Sequence, residues 1–283
     1  MAETSSHRLD PRITPARPEL AAKHLEGKVA AARFVQGSTF DLGSPQTPLR
    51  REPVSDAPLV TEALMGERVT VYETTEEGWA WGQLENDDYV GWLPASALIA
   101  PGIVRTHKVR ALRTFAFGGT NIKQPPLQSI PFGAQLELQQ VEGALALTSA
   151  GYVPFVHLAP IATKESDFVA VAERFLHTPY LWGGKTNLGI DCSGLVQIAL
   201  NACGIACPRD SDMQEARLGR AIALSDVRRG DLVFWKGHVA IALDAATLLH
   251  ANAHHMAVAI EPLAEAVARI GEGGGEVTSV KRL

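Results

Sequence analysis

Between positions 66 and 93, apolar and polar residues alternate in three short runs. Residues 68–73, 79–84 and 89–93 change character at almost every step, and the turn formers Glu77-Gly78 and Asn86-Asp87-Asp88 separate them. A period of two broken by such turns predicts half-buried β-strands, and short strands at this spacing predict a small β-barrel. A fainter copy follows. Residues 133–138 match 66–71 and residues 151–156 match 88–93, at offsets of 67 and 63 residues. Offsets that close predict two tandem modules of one kind. The copy lacks the tryptophans of the first run, which points to divergent roles.

From position 164 the period changes. Phe168, Val171, Ala172, Phe175 and Leu176 recur at helical spacing, and the apolar run 195–200 predicts a second helix ending at Cys203-Gly204. Strands are predicted over residues 231–235, 238–243 and 247–251, followed by a helix over 262–270 and a last strand over 276–282. Helices on an antiparallel sheet make this an α+β fold, preceded by the two small barrels. The proline-rich start carries Ala21, Ala22, Leu25 and Val29 as a weak apolar face. It reads as an arm with one helix over residues 19–34. The expected organisation is an arm over 1–50, barrels over 51–102 and 103–163, and the α+β domain over 164–283.

Composition narrows the function. The chain has 283 residues, 46% of them hydrophobic and 20% charged, with a formal charge of -5. Up to position 163 there are 14 basic and 17 acidic residues, and after it 12 and 14, so neither part shows the basic footprint of a nucleic-acid or anionic-membrane binder. No run of about 18 uninterrupted apolar residues predicts a membrane span. Residues 1–10 lack the apolar core of a signal peptide, and three cysteines make no disulfide framework. The expectation is a cytoplasmic protein in a reducing compartment.

The chemistry gathers around Cys192. It sits in Gly189-Ile190-Asp191-Cys192-Ser193-Gly194, directly before the apolar run that starts at Leu195. A thiol at a helix mouth meets unpaired N–H groups and the positive end of the dipole, which favour the thiolate and can hold an oxyanion. His238 opens one predicted strand and His250 closes another. A helix-tip thiol with strand-borne imidazoles is the arrangement of a papain-like cysteine hydrolase, with Cys192 as nucleophile, His238 as base and His250 as its orienter. Asn252, His254 and His255 compete with His250 for that last role. Cys203 and Cys207 lie four apart across a helix end and fit a zinc site poorly, and the glycine run 271–275 precedes a strand rather than a nucleotide-binding helix. No metal or other cofactor is expected.

Five landmarks in order carry a resemblance. They are Pro179-Tyr180-Leu181-Trp182-Gly183-Gly184, Asp191-Cys192-Ser193-Gly194-Leu195-Val196, and Pro208-Arg209-Asp210-Ser211-Asp212-Met213-Gln214. Next comes Arg229-Gly230-Asp231-Leu232-Val233-Phe234-Trp235 with His238-Val239, and last His250-Ala251. Residues 164–283 resemble the NlpC-type family of bacterial cell-wall cysteine peptidases, and the modules ahead of them resemble bacterial SH3-like domains. The resemblance implies a γ-D-glutamyl-L-diamino-acid endopeptidase that cuts murein peptides with a free N-terminal L-Ala; without a signal segment, recycled cell-wall peptides are its expected substrates. It also implies substrate contacts at Tyr180, Asp191, Ser193 and Ser211, with Glu67 and Tyr89 of the first module completing a pocket for the substrate ammonium. Read from the residues alone, Glu67 is equally a turn residue and Tyr89 equally barrel core. The rival readings are an amidase or acyltransferase on the same core, and a wall-peptide binding protein without catalysis.

Overall fold

The computed structural model describes residues 9–283. The described residues divide into two compact units, one ending at Gly102 and the other running from Ile103 to Leu283.

The first unit is built on a seven-stranded antiparallel sheet. In spatial order its strands are Leu59–Leu64, Gln46–Arg50, Val90–Pro94, Trp79–Leu84, Arg68–Thr74, Ser38–Leu42 and Leu98–Ile99. The alternation seen in the sequence becomes inward and outward sides of these strands. Leu42, Leu49, Val69, Val71, Leu84, Tyr89 and Leu93 form the core. Two of the strands, Ser38–Leu42 and Gln46–Arg50, come from chain that the sequence analysis assigned to the arm.

The helix expected over residues 19–34 is absent. Ala21–Ala22 is instead a short strand paired in parallel with Phe34–Val35, and Lys23–Leu25 makes one 3₁₀ turn. The left-handed Gly27 (φ 80°) interrupts any longer helix. The arm instead finds partners on the aromatic side of the sheet. Leu20 is buried against Trp81 and Trp92. The Arg17 guanidinium lies 4.3 Å from the Trp81 ring centre and 4.7 Å from that of Trp92, and pairs with Glu73. Val90 N–H donates to the Arg12 carbonyl at 2.8 Å.

In the second unit, residues 103–163 form a five-stranded sheet and a three-stranded one. The five-stranded order is Pro126–Pro131, Arg113–Phe117, Gly151–Pro154, Leu145–Thr148, Leu138–Glu142. The turns at 66–67 and 133–134 share one hydrogen-bonding pattern. Gly66 N–H donates to Leu42 O and Leu42 N–H to Glu67 O; Gly133 N–H donates to Val109 O and Val109 N–H to Ala134 O. Both glycines are left-handed, at φ 80° and 87°. Where the first copy has Glu67 the second has Ala134. Phe132 meets Phe175 edge-on at 6.0 Å, and Arg174 covers the Phe132 ring and donates to Arg110 O, so this region packs on the helical part that follows.

That part holds a six-stranded antiparallel sheet, in the order Arg220–Ile222, Val277–Arg282, Leu232–Trp235, His238–Ala242, Thr247–Asn252, Ala257–Pro262. Four helices accompany it: α1 (Phe168–Glu173), α2 (Cys192–Ala202), α3 (Ser211–Arg217) and α4 (Leu263–Glu272). Helix α2 is buried on every side except at Asn201, as its unbroken apolar run requires, and packs on α1 and on the strands His238–Ala242 and Thr247–Asn252. Helix α4 is amphipathic and packs Ala266, with Leu263, Val267 and Ile270, against Trp235, Ala240, Ala242, Leu248 and Val280. Among the described residues no helix is long and apolar enough to cross a membrane.

Candidate active site

Cys192 is the first residue of α2, and Asp191 is its N-cap, accepting from Gly194 N–H at 2.7 Å. The cap does far more than start a helix. Asp191 Oδ1 also accepts from Arg209 Nη1 (2.9 Å) and Ser193 Oγ (3.2 Å), while Oδ2 accepts from Arg209 Nη2 (2.7 Å) and Gly183 N–H (2.8 Å). Arg209 is only 1% exposed and also reaches Gly184 O and Ser193 Oγ. A carboxylate offers about four acceptor positions, and here five donors occupy them. Glycine is required around this knot: a Cβ on Gly194 would lie 2.4 Å from Gly184 O. Three of the five sequence landmarks thus meet in one buried cluster beneath the thiol.

The imidazoles stand on adjacent strands. Trp235 and His238 are cross-strand partners flanking a turn with left-handed Gly237, and the His238 ring lies 5.7 Å from the Trp235 ring. The registers Ile241↔Leu249 and Leu248↔Glu261 set His238, His250 and Glu261 on a diagonal across three strands. His238 Nε2 and His250 Nδ1 are 2.9 Å apart, and His250 Nε2 is 2.9 Å from Glu261 Oε2. Arg269 of α4 closes the row with Nε on Glu261 Oε1 (2.9 Å) and Nη2 on Oε2 (2.6 Å). Val239, next to His238, turns its N–H to the Cys192 sulfur, and the Asp191 charge acts on both Cys192 and His238.

Burial dominates the electrostatics. It pushes the Cys192 thiol up to about 12, with Asp191 adding to the rise and the Val239 N–H, Arg209 and the Ser193 N–H opposing it. His238 is pushed down to about 3 by burial, then by His250 and Arg269, against Glu261 and Asp191. His250 is pushed down to about 4 by burial, against the pull of Glu261. The resting site therefore holds a neutral thiol and neutral imidazoles. The sequence-based expectation that the helix mouth alone favours the thiolate is corrected here: desolvation and the neighbouring carboxylate outweigh the two N–H groups.

The expected substrate contacts divide. The Tyr180 hydroxyl and the Ser211 hydroxyl make no hydrogen bond to a described residue, and burial, then Cys192 and Asp191, raise the Tyr180 phenol so that it stays a donor. Ser193 Oγ donates to Asp191 and accepts from Arg209, so its side chain is a member of the knot. Asp191 is held in the same knot, with Arg209 as its cation within the cluster. Tyr89 is part of the first unit's core, and Glu67 is buried there, accepting from Leu64 N–H (2.9 Å) and Asn86 Nδ2 (3.2 Å). Within the first unit both side chains thus have structural partners. Accordingly Glu67→Gln is expected to lower the barrel's stability by about 1–2 kcal/mol, read as a lower melting temperature. Lost discrimination between free and N-acetylated peptides with an unchanged melt would assign Glu67 to the substrate amine.

The sequence analysis assigned no role to Arg209, Glu261 or Arg269. Arg209 lay inside a quoted landmark. Glu261 ends a strand, Ala257–Pro262, that was not predicted, although its Ala-Val-Ala-Ile-Glu run carried the alternation that could have exposed it. Asn252 and His255 hydrogen-bond to each other, leaving His250 as the residue at His238. Cys207 is buried with Sγ directed to Pro208 O, Cys203 is half-buried, and among the described residues no group of three or more His, Cys, Asp or Glu is placed to hold a metal ion.

The fold and the thiol with its histidine pair define a cysteine peptidase. Residues 177–269 match the family model of the NlpC/P60 family, and residues 49–98 match that of the bacterial dipeptidyl-peptidase Sh3 domain. The chain thus carries an NlpC/P60 cysteine peptidase domain of papain-like fold behind a bacterial SH3-like domain. It is 29% identical to the gamma-D-glutamyl-L-lysine dipeptidyl-peptidase of Bacillus subtilis over 239 residues, covering 75% of this chain and 79% of that protein. It is 26% identical to dipeptidyl-peptidase 6 of Lysinibacillus sphaericus, covering 72% of this chain and 84% of that protein. The crystal structure of an NlpC/P60 family protein from Bacillus cereus superposes with a TM-score of 0.71 at 21% identity, covering 87% of this chain and 99% of that one, which speaks for the fold.

Proposed function

We propose that this peptidase hydrolyses the amide between γ-linked D-glutamate and a diamino acid in murein peptides bearing a free N-terminal L-Ala. The observation that carries the reading is the buried Cys192 thiol at the mouth of α2 beside the hydrogen-bonded His238–His250 pair. The names of the relatives supply the substrate class. In the proposed reaction the Cys192 proton passes to His238 as Sγ attacks the γ-carbonyl carbon. The oxyanion meets the Cys192 N–H, which has no acceptor among the described residues, and the Tyr180 hydroxyl. The imidazolium then gives its proton to the departing amine, leaving a thioester. Water attacks the thioester, passing a proton through His238 to the sulfur, and releases the glutamate γ-carboxylate and the thiol. Ser211, buried at the start of α3 with its hydroxyl uncommitted, is assigned to the D-Glu portion. We further read residues 103–163 as a second SH3-like module, supported by the repeated turn hydrogen bonds, giving the domain order arm, SH3-like, SH3-like, peptidase. We place the enzyme in the cytoplasm acting on recycled peptides, a setting that agrees with its three free thiols.

The deciding experiment compares kcat/KM on L-Ala-γ-D-Glu-diaminopimelate and on its N-acetylated form. Cleavage of the free peptide at the γ-D-Glu bond is expected, with the acetylated form slower by at least about tenfold, the effect of leaving a site's charged partners unpaired. Equal rates would remove the free-amine requirement, and no cleavage of either would overturn the substrate class.

A further inference from the structure

We propose that Glu261, clamped by Arg269, is a positioning residue that sets the proton on each histidine and thereby makes Nδ1 of His238 the base that faces the thiol. The inference rests on the reading of Cys192 and His238 as the reacting pair.

Arg269 gives Glu261 two hydrogen bonds, one to each carboxylate oxygen. Burial alone would raise the Glu261 carboxyl, but the hydrogen bonds and charge of Arg269, helped by His250, bring it below its ordinary value, so it is an anion that can only accept. The contact at 2.9 Å to His250 Nε2 therefore requires the hydrogen on that nitrogen. A neutral His250 then has its lone pair on Nδ1. The 2.9 Å contact to His238 Nε2 must run from His238 N–H to that lone pair. A neutral His238 with its hydrogen on Nε2 has its lone pair on Nδ1, the ring nitrogen not used by His250. One carboxylate two hydrogen bonds away thus chooses the basic nitrogen. The same carboxylate faces the positive charge that appears on His238 when it takes the thiol proton.

Reversing the last donor should reverse the whole row. In Glu261→Gln, Arg269 donors hold the amide oxygen and turn the amide NH2 toward His250 Nε2. His250 must then carry its hydrogen on Nδ1 and donate to His238 Nε2, which moves the His238 hydrogen to Nδ1 and removes the lone pair from the thiol side. Adding Arg269→Met frees the amide to rotate and present its oxygen to His250 again.

The test uses the full chain and the tripeptide substrate. Glu261→Gln is expected to lower kcat on the order of 10²-fold or more with KM little changed, the scale of a lost general base. The double variant Glu261→Gln with Arg269→Met is expected to regain about tenfold of that loss, a rescue that simple destabilisation would not produce. Histidine ¹⁵N spectra of the Cys192→Ala chain, which need no activity, should show hydrogen on Nε2 of both His238 and His250. Hydrogen on Nδ1 of either ring, a Glu261→Gln variant within about threefold of wild type, or a double variant no better than the single one overturns the inference. Turnover by Cys192→Ala would instead overturn the catalytic reading, and the nitrogen spectra would still decide whether Glu261 sets the protons.

Discussion

Cys192→Ala is expected to lose hydrolysis by a factor on the order of 10⁴ or more while the chain keeps its melting temperature to within a few degrees. No other thiol can substitute. Cys207 directs its sulfur to a carbonyl, and Cys203 sits at the far end of α2, its thiol raised first by burial and then by Glu165 and Asp167. Cys192→Ser should be nearly as inactive. A hydroxyl is harder to deprotonate than a thiol, and burial has already pushed His238 down to about 3. Trapping supplies a second readout. With substrate, the wild-type chain should accumulate an acyl adduct on the peptide containing Cys192, detectable by mass spectrometry after acid quench, and His238→Ala should not. Substantial turnover by Cys192→Ala, or an adduct mapped to Cys203 or Cys207, would remove Cys192 from the mechanism.

Arg209→Met is expected to destabilise the peptidase domain by about 3–5 kcal/mol, the cost of leaving a buried carboxylate without its cation. Asp191 lies almost fully buried, and Arg209 supplies two of its five donors together with its only countercharge within the cluster. The substitution keeps side-chain length, so the loss reports charge and hydrogen bonding more than volume. Pairing it with Asp191→Asn should recover part of the loss, because the stranded charge is then gone, and urea denaturation of the four chains gives the coupling directly. The same variant should alkylate more slowly at Cys192, because an unopposed Asp191 pushes the thiol further up. A single variant as stable as wild type would show that the knot contributes nothing net. A double variant less stable than wild type by the sum of the two single losses would show that the two residues act independently.

The two kinds of site residue differ in how they could be read. Cys192 and His238 were legible because local pattern marks them: a thiol immediately before an apolar helical run, and an imidazole after a Gly turn at a strand start. The helix and strands of that region fall within a few residues of their expected places for the same reason, since periodicity is a local property. The Pro208–Gln214 landmark was visible too, but not that its arginine would cross to Asp191, 18 positions earlier. The arm failed in the opposite direction. Its alanines and leucine suited a helix, but Leu20 and Arg17 gain more against Trp81 and Trp92 than a short isolated helix can offer.

By itself the sequence determined the strand and helix periods, the thiol at a helix mouth and the histidine at a hairpin, because each depends on neighbours close in the chain. Only the tertiary structure decided that Asp191 and Ser193 bind Arg209, that Glu67 and Tyr89 hydrogen-bond and pack within the first unit, and that Glu261 and Arg269 extend the His238–His250 pair. Those facts depend on strand register and on which side chains share a buried space. There an unpaired charge is costly enough to capture whatever donor or acceptor the fold brings within reach.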